Sequence, residues 1–302
     1  MNTGLPTTIP AYLAHLRRAL EGADPAMIQD ALYDAEEYLR AELAANPGKC
    51  EAEVIADVAG SYGDPEEVAD IYRDTEVKVR AALRTPNPPS KWLDGLSPWR
   101  RIFGVFTDPR SYGALFYMLL SLGTGIAYFT WTVTGMSLSA GLMILIVGLP
   151  LFVLFIGLSR LLALVEGRLV EALLDERMPR RPPYSDVGMP LLKRIGAMFT
   201  DPRTWGTFFY FLLMLPLGIA YFVVALTGLS VSLGLMFGPP ARLLGFPLKI
   251  DVAGSQDLIG QYPFAAPLVM LAGFLLLTLA LHVARGIGRL HGMLAKQLLV
   301  KV

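Results

Sequence analysis

The pattern of polar and apolar positions changes character once along the chain. From Ile9 it is short-range and helical, with Tyr12, Leu13, Leu16 and Leu20 recurring three and four apart. Asp24-Pro25 then reads as an N-cap followed by a first-turn proline. It opens a stripe of Met27, Ile28, Ala31, Leu32, Ala35, Tyr38 and Leu39 that runs to about Asn46-Pro47-Gly48. Glu51 to Ala59 predicts a shorter helix closed by Gly60, and Asp64-Pro65 a fourth, through Val68, Ile71, Tyr72, Val77 and Val79 to about Leu83. Beyond Ser111 the polar face disappears. Ser111 to Ser159 holds no Asp, Glu, Lys or Arg across 49 residues, Thr204 to Ala241 is equally charge-free, and Leu258 to Ala284 is broken only by His282. A membrane span needs about 20 apolar residues, so these runs predict four spans. They fall near 112–134, 140–162, 205–227 and 264–286.

The apolar half repeats itself. Phe106-Thr107-Asp108-Pro109-Arg110 returns 93 residues later as Phe199-Thr200-Asp201-Pro202-Arg203. At the same offset Tyr117 meets Tyr210, Gly125-Ile126-Ala127-Tyr128-Phe129 meets Gly218-Ile219-Ala220-Tyr221-Phe222, and Thr134-Gly135 meets Thr227-Gly228. After a 32-residue insertion, Arg160 matches Arg285, Gly167 matches Gly292, and Leu173-Leu174 matches Leu298-Leu299. The predicted fold class is therefore all-α: a small N-terminal helical bundle, then a four-helix transmembrane domain of two tandem two-span repeats. Each repeat begins with an interfacial lead-in helix. In the first, Trp99, Ile102, Phe103 and Phe106 separate from Arg100 and Arg101; in the second, Leu192, Ile195, Met198 and Phe199 separate from Lys193 and Arg194. The domains expected are 1–85, a Pro-rich linker 86–98, repeat 1 at 99–187 and repeat 2 at 188–302. The insertion, about 238–263, carries Pro239-Pro240, Phe246-Pro247 and Tyr262-Pro263 and is expected to be irregular and external.

Charge sharpens this division. The first 90 residues hold 8 Lys/Arg against 16 Asp/Glu, whereas residues 91–302 hold 18 against 10, although the chain as a whole is neutral. An acidic head is a poor ligand for nucleic acid. Basic residues crowd one side of the spans, among them Arg100, Arg101, Arg168, Arg177, Lys193, Arg194, Arg289 and Lys296. The positive-inside rule then places both termini and the acidic bundle in the cytoplasm, in a multi-pass cytoplasmic membrane protein. No basic start followed by an apolar segment marks a cleavable signal peptide, and the single Cys50 permits no internal disulfide.

No catalytic, cofactor or metal constellation stands out. There is no phosphate-binding glycine loop, no His-Glu-x-x-His and no Gly-x-Ser-x-Gly, and the three histidines are scattered. Two sets of side chains are candidates for binding. Glu36, Glu37, Asp64, Glu66 and Glu67 form an acidic surface suited to a partner protein, although Asp64, Glu66 and Glu67 also have capping roles. Arg160 and Glu166 near the end of span two, with His282 and Arg285 near the end of span four, form a candidate intramembrane or interfacial site. Snorkelling to headgroups is the plainer expectation for the arginines.

The N-terminal pattern, with Glu36-Glu37-Tyr38-Leu39 and the turn Tyr62-Gly63-Asp64-Pro65-Glu66-Glu67-Val68-Ala69, resembles the HAAS signalling domain of bacterial DUF1700-type membrane proteins. Tyr117 to Phe129, Gly148-Leu149-Pro150 and the Arg160 to Leu174 helix resemble the sensor membrane domain otherwise fused to histidine kinases. The resemblance implies a non-enzymatic membrane sensor or regulator without a cofactor. Its bundle would act on a cytoplasmic partner, often a PadR-like regulator, with membrane lipids as surroundings and homo-oligomerisation open. The competing reading is a transporter, channel subunit or lipid-binding membrane protein. No kinase or DNA-binding module of its own is seen, so any signal leaves through a partner.

Overall fold

The computed structural model describes residues 6–61, 63–83, 102–145, 148–179, 200–246 and 262–300, with positions 196 and 259. The linker, most of the second lead-in and the insertion from 247 to 261, position 259 apart, lie outside the described residues.

Four short helices form the N-terminal bundle: α1 (Ile9–Ala19), α2 (Pro25–Ala45), α3 (Glu51–Ser61) and α4 (Pro65–Leu83). Their starts follow the capping chemistry. Thr8 accepts from the Ala11 amide, Asp24 Oδ1 from Ala26, and Asp64 Oδ1 from both Glu66 and Glu67. Tyr12, Leu16, Leu20, Leu39 and Ile55 fill its core. The Tyr12 hydroxyl donates to the Gly63 carbonyl at 2.9 Å, tying α1 to the turn before α4. Gly63 sits at φ +110°, a conformation that side chains rarely adopt. One boundary differs from expectation: α3 continues through Gly60 to Ser61.

Four long helices follow: α5 (Pro109–Leu142), α6 (Gly148–Leu174), α7 (Pro202–Leu243) and α8 (Ala266–Leu299). Each is long and apolar enough to cross a membrane, and the chain is a multi-pass membrane protein. The start of α5 meets the end of α6 where Gly113 lies against the Leu173 carbonyl and Arg110 pairs with Asp175 at 2.5 Å. The start of α7 meets the end of α8 where Gly206 faces the Leu298 carbonyl. Lys296, near the end of α8, reaches Glu176 just past α6 at 3.1 Å, so all four of these ends share one side. In the middle, α5 and α7 cross with their backbones nearly touching. A Cβ on Gly125 would come within 2.5 Å of the Met214 carbonyl, and one on Gly218 would collide with that of Ser121.

One expectation needs correction. Pro239-Pro240 does not break α7, which runs through both prolines to Leu243. The pair lies in the last turns, where a missing amide donor costs only the bonds to two carbonyls, and Gly245 at φ +93° ends the segment instead. In the first lead-in, Phe103 and Phe106 stack on Phe274 of α8 at 5.5 and 5.4 Å.

Candidate functional site

The most polar place among the long helices is at Glu166. Its side chain is fully buried, at 0% exposure, and three tyrosines from two other helices converge on it. Tyr117 and Tyr210 donate to Oε1 at 2.5 and 2.8 Å, and Tyr128 donates to Oε2 at 2.9 Å. A carboxylate that only accepts suits three hydroxyl donors, and such bonds offset much of the cost of burying its charge. His291 of α8, also fully buried, closes the cluster. Its Nε2 lies 2.6 Å from the Tyr117 hydroxyl and 2.9 Å from that of Tyr210. Tyr221 packs edge-on to its ring at 5.5 Å.

Hydrogen-bond accounting assigns the histidine tautomer. With the tyrosine protons on Glu166, their oxygens accept from Nε2–H. Nδ1 is buried with no hydrogen-bond partner among the described residues, so it is the nitrogen that can go without a proton at least cost. The result is a continuous chain, carboxylate to tyrosine to imidazole, linking α6, α5, α7 and α8. Ionisable groups placed inside a membrane bundle are costly and mark functional sites.

Around this cluster, aspartates at helix starts each serve two helices. Asp108 and Asp201 use Oδ1 to cap α5 and α7. They use Oδ2 to bind Arg285 at 3.2 Å and Arg160 at 3.4 Å, respectively. Both arginines are paired with carboxylates on other helices. Asp24 of the bundle follows the same scheme. Oδ1 caps α2, while Oδ2 accepts from Lys296 Nζ at 2.7 Å. Nearby, Arg203 donates to Gln29 at 3.0 Å and Arg177 lies 3.8 Å from Asp30. The bundle is thus held on the ends of the long helices by one acidic edge, Asp24 to Asp30.

Of the intramembrane candidates, Arg160, Glu166 and Arg285 lie among the packed helices, though in three separate contacts rather than one site. His282 stands apart: it is exposed, and Nδ1 bonds the Thr278 carbonyl of its own helix at 2.9 Å. The buried histidine is His291. Its signal was present in the sequence, because Glu166 and His291 occupy matched places in the alignment that pairs Arg160 with Arg285. The acidic candidates lie away from the clamp. Glu36 pairs with Arg40 at 2.8 Å, and Glu37, Asp64, Glu66 and Glu67 are exposed. Among the described residues no three His, Cys, Asp or Glu side chains are grouped to hold a metal ion.

Comparison with known families places this architecture. Residues 117–299 match the family described as "Putative sensor", and residues 11–71 match HAAS. No curated protein and no solved structure matches the chain. Both matched families are non-catalytic signalling modules, and the chain's role is accordingly one of membrane-associated signalling.

Proposed function

Because this chain belongs to the sensor family and carries a HAAS module ahead of it, we propose that it relays a state of the membrane or envelope to a soluble cytoplasmic partner. The bundle is the output. The observation that carries this reading is that the buried cluster and the clamp on the bundle share three helices. Glu166 and Arg177 belong to α6 and its continuation, Tyr210 and Arg203 to α7, and His291 and Lys296 to α8. A shift of proton or packing at the cluster moves helices whose ends hold Asp24, Gln29 and Asp30. Packed helices with discrete arrangements suit such coupling.

In this proposal the long helices are a tandem duplication of a two-span unit. Its support is the fixed-offset identities, together with the paired contacts Arg160–Asp201 and Arg285–Asp108, which fall at matched positions. Both termini and the bundle lie in the cytoplasm, supported by the bias of basic residues. Glu36, Glu37, Asp64, Glu66 and Glu67 form the surface offered to the partner, a PadR-like regulator by the HAAS resemblance. The insertion at about 238–263 is the part facing outward.

The test uses the single, exposed Cys50 as a label site, with Ala172→Cys on α6 as the second. Electron–electron distances between spin labels on the full chain in nanodiscs report whether the bundle stays clamped. Glu166→Gln is expected to lengthen or broaden that distance while the long helices stay folded. An unchanged distribution in Glu166→Gln would remove the cluster from the relay.

A further inference from the structure

The cluster at Glu166 is built from residues that match one another in the two halves of the sequence. Tyr117 matches Tyr210, Tyr128 matches Tyr221, and Glu166 matches His291. The first pair is used alike. Each hydroxyl stands between Glu166 Oε1, at 2.5 and 2.8 Å, and His291 Nε2, at 2.6 and 2.9 Å. The second pair is not. Tyr128 donates to Glu166 Oε2 at 2.9 Å, whereas Tyr221 packs edge-on to the imidazole with ring centroids 5.5 Å apart. His291 Nδ1 is buried with no hydrogen-bond partner among the described residues. An acid and a base thus occupy equivalent places, bridged by two hydroxyls, and a lone pair at the base end is unused.

We propose that this cluster is a proton-binding site, entered at His291 Nδ1 and ending on Glu166. A proton arriving on Nδ1 forms an N–H bond there. Nε2 passes its own proton to the hydroxyl oxygen of Tyr117 or Tyr210, and that tyrosine's original proton moves to Glu166 Oε1. The imidazole ends neutral in its other tautomer, the tyrosine holds one proton as before, and the carboxylate has become a carboxylic acid. One proton has entered and one buried negative charge is gone. The contacts along that line survive with their donors reversed: Glu166 donates to the tyrosine, and the tyrosine to Nε2. Leaving the proton on the ring would instead enclose an imidazolium beside a carboxylate, two charges where the transfer leaves none. Nδ1 lacks a partner with or without the proton, so its own loss is the same in both tautomers.

The surroundings suit a proton and little else. Glu166 and His291 are both at 0% exposure, which leaves no room for a larger ligand between them. The described titratable groups that face them are Tyr117 and Tyr128 from α5 and Tyr210 and Tyr221 from α7. From the segment after α6 comes Glu176, whose Cβ would lie 3.1 Å from one placed on Gly292, and whose carboxylate is bound by Lys296 at 3.1 Å. His291 stands fewer than two turns from Lys296, so the short way in for a proton is from the end that holds the bundle. As a signal this proton rests on the relay reading above; as a bound ligand it does not.

The chain has three histidines, His15, His282 and His291, so isotope-labelled histidine in the full chain in nanodiscs gives few imidazole signals, which H15Q and H282Q assign. Nitrogen NMR and infrared difference spectra are recorded as the pH is lowered over the range in which the chain stays folded. A carboxylic-acid C=O band is expected to appear in the same transition in which His291 changes from Nε2–H to Nδ1–H, and E166Q is expected to lose that band. Y117F/Y210F keeps both ends and removes both links, so it is expected to separate the two changes. The wild-type and E166Q spectra decide even where the double variant fails to fold. A doubly protonated His291 without the band would overturn the proposal, as would the absence of any band from Glu166. A joint transition persisting in folded Y117F/Y210F would overturn the path through the tyrosines. Where the band appears but the Cys50–Ala172→Cys distance ignores pH, the proton site stands and the relay reading falls.

Discussion

The bundle of α1 to α4 and the body of α5 to α8 bury opposite materials. In the bundle, Tyr12, Leu16, Leu20 and Leu39 are inside and most of the charge is outside. In the body, Phe116, Leu154, Phe209 and Leu268 are more than half exposed, while Glu166, His291, Ser121, Thr132 and Ser232 are wholly enclosed. The two regions are solving the same problem in different solvents. Water rewards the bundle for hiding its leucines. Lipid gives no such reward, so the body is held by close backbone approach, hydrogen bonds and internal charge pairs. The lesson is that exposure of a large apolar residue is a cost in one region and not in the other.

The sharpest way to break this comparison is to truncate one leucine in each region. Leu16→Ala empties a fully buried place and is expected to cost about 2–5 kcal/mol of bundle stability. Leu154→Ala, on an outward face of α6, is expected to change the stability of the body by less than about 0.5 kcal/mol. Chemical denaturation of the full chain in nanodiscs reads both. Comparable losses would mean that α6 faces protein rather than lipid at Leu154. Next in size is the α5–α7 crossing. Gly218→Val places methyl groups against the Ser121 carbonyl, which cannot yield without parting the helices. A loss of about 1–3 kcal/mol is expected, with Gly234→Val, where nothing lies near, as the silent control. If the two valines behave alike, close approach is not what holds the body.

Much of this division was legible in the residues. The Asp-Pro pairs at 24, 64, 108 and 201 announced helix starts, because that chemistry is local and each cap needs only its own next turn. The charge-free runs announced long apolar helices for a similar reason. What stayed hidden depends on convergence between distant elements. Tyr117, Tyr128 and Tyr210 read as ordinary span residues until α5 and α7 cross beside Glu166, and nothing local separates His291 from His282. The second oxygen of Asp24, Asp108 and Asp201 was equally silent. Its partner, Arg285, Arg160 or Lys296, lies more than forty residues away in each case. Pro239-Pro240 misled because a proline's effect depends on how much helix remains to follow it, and here only a few residues do.

A smaller loss than that at the core or the crossing is expected where the two regions meet. Lys296 is bound by Asp24 at 2.7 Å and Glu176 at 3.1 Å, so it joins bundle and body through two carboxylates, of which Glu176 is the more exposed. Lys296→Gln keeps a donor but removes the charge, and should weaken docking by about 1 kcal/mol at low salt. Because Glu176 remains reachable by ions, the difference should shrink at about 1 M salt, where exposed charges are screened within a few ångströms. Neither the leucine core nor the helix crossing should show that salt response. The population of the clamped Cys50–Ala172→Cys distance, measured at the two salt concentrations, provides the reading. A Lys296→Gln effect of equal size in both would mean that the interface is held by packing, as the bundle is, and not by charge.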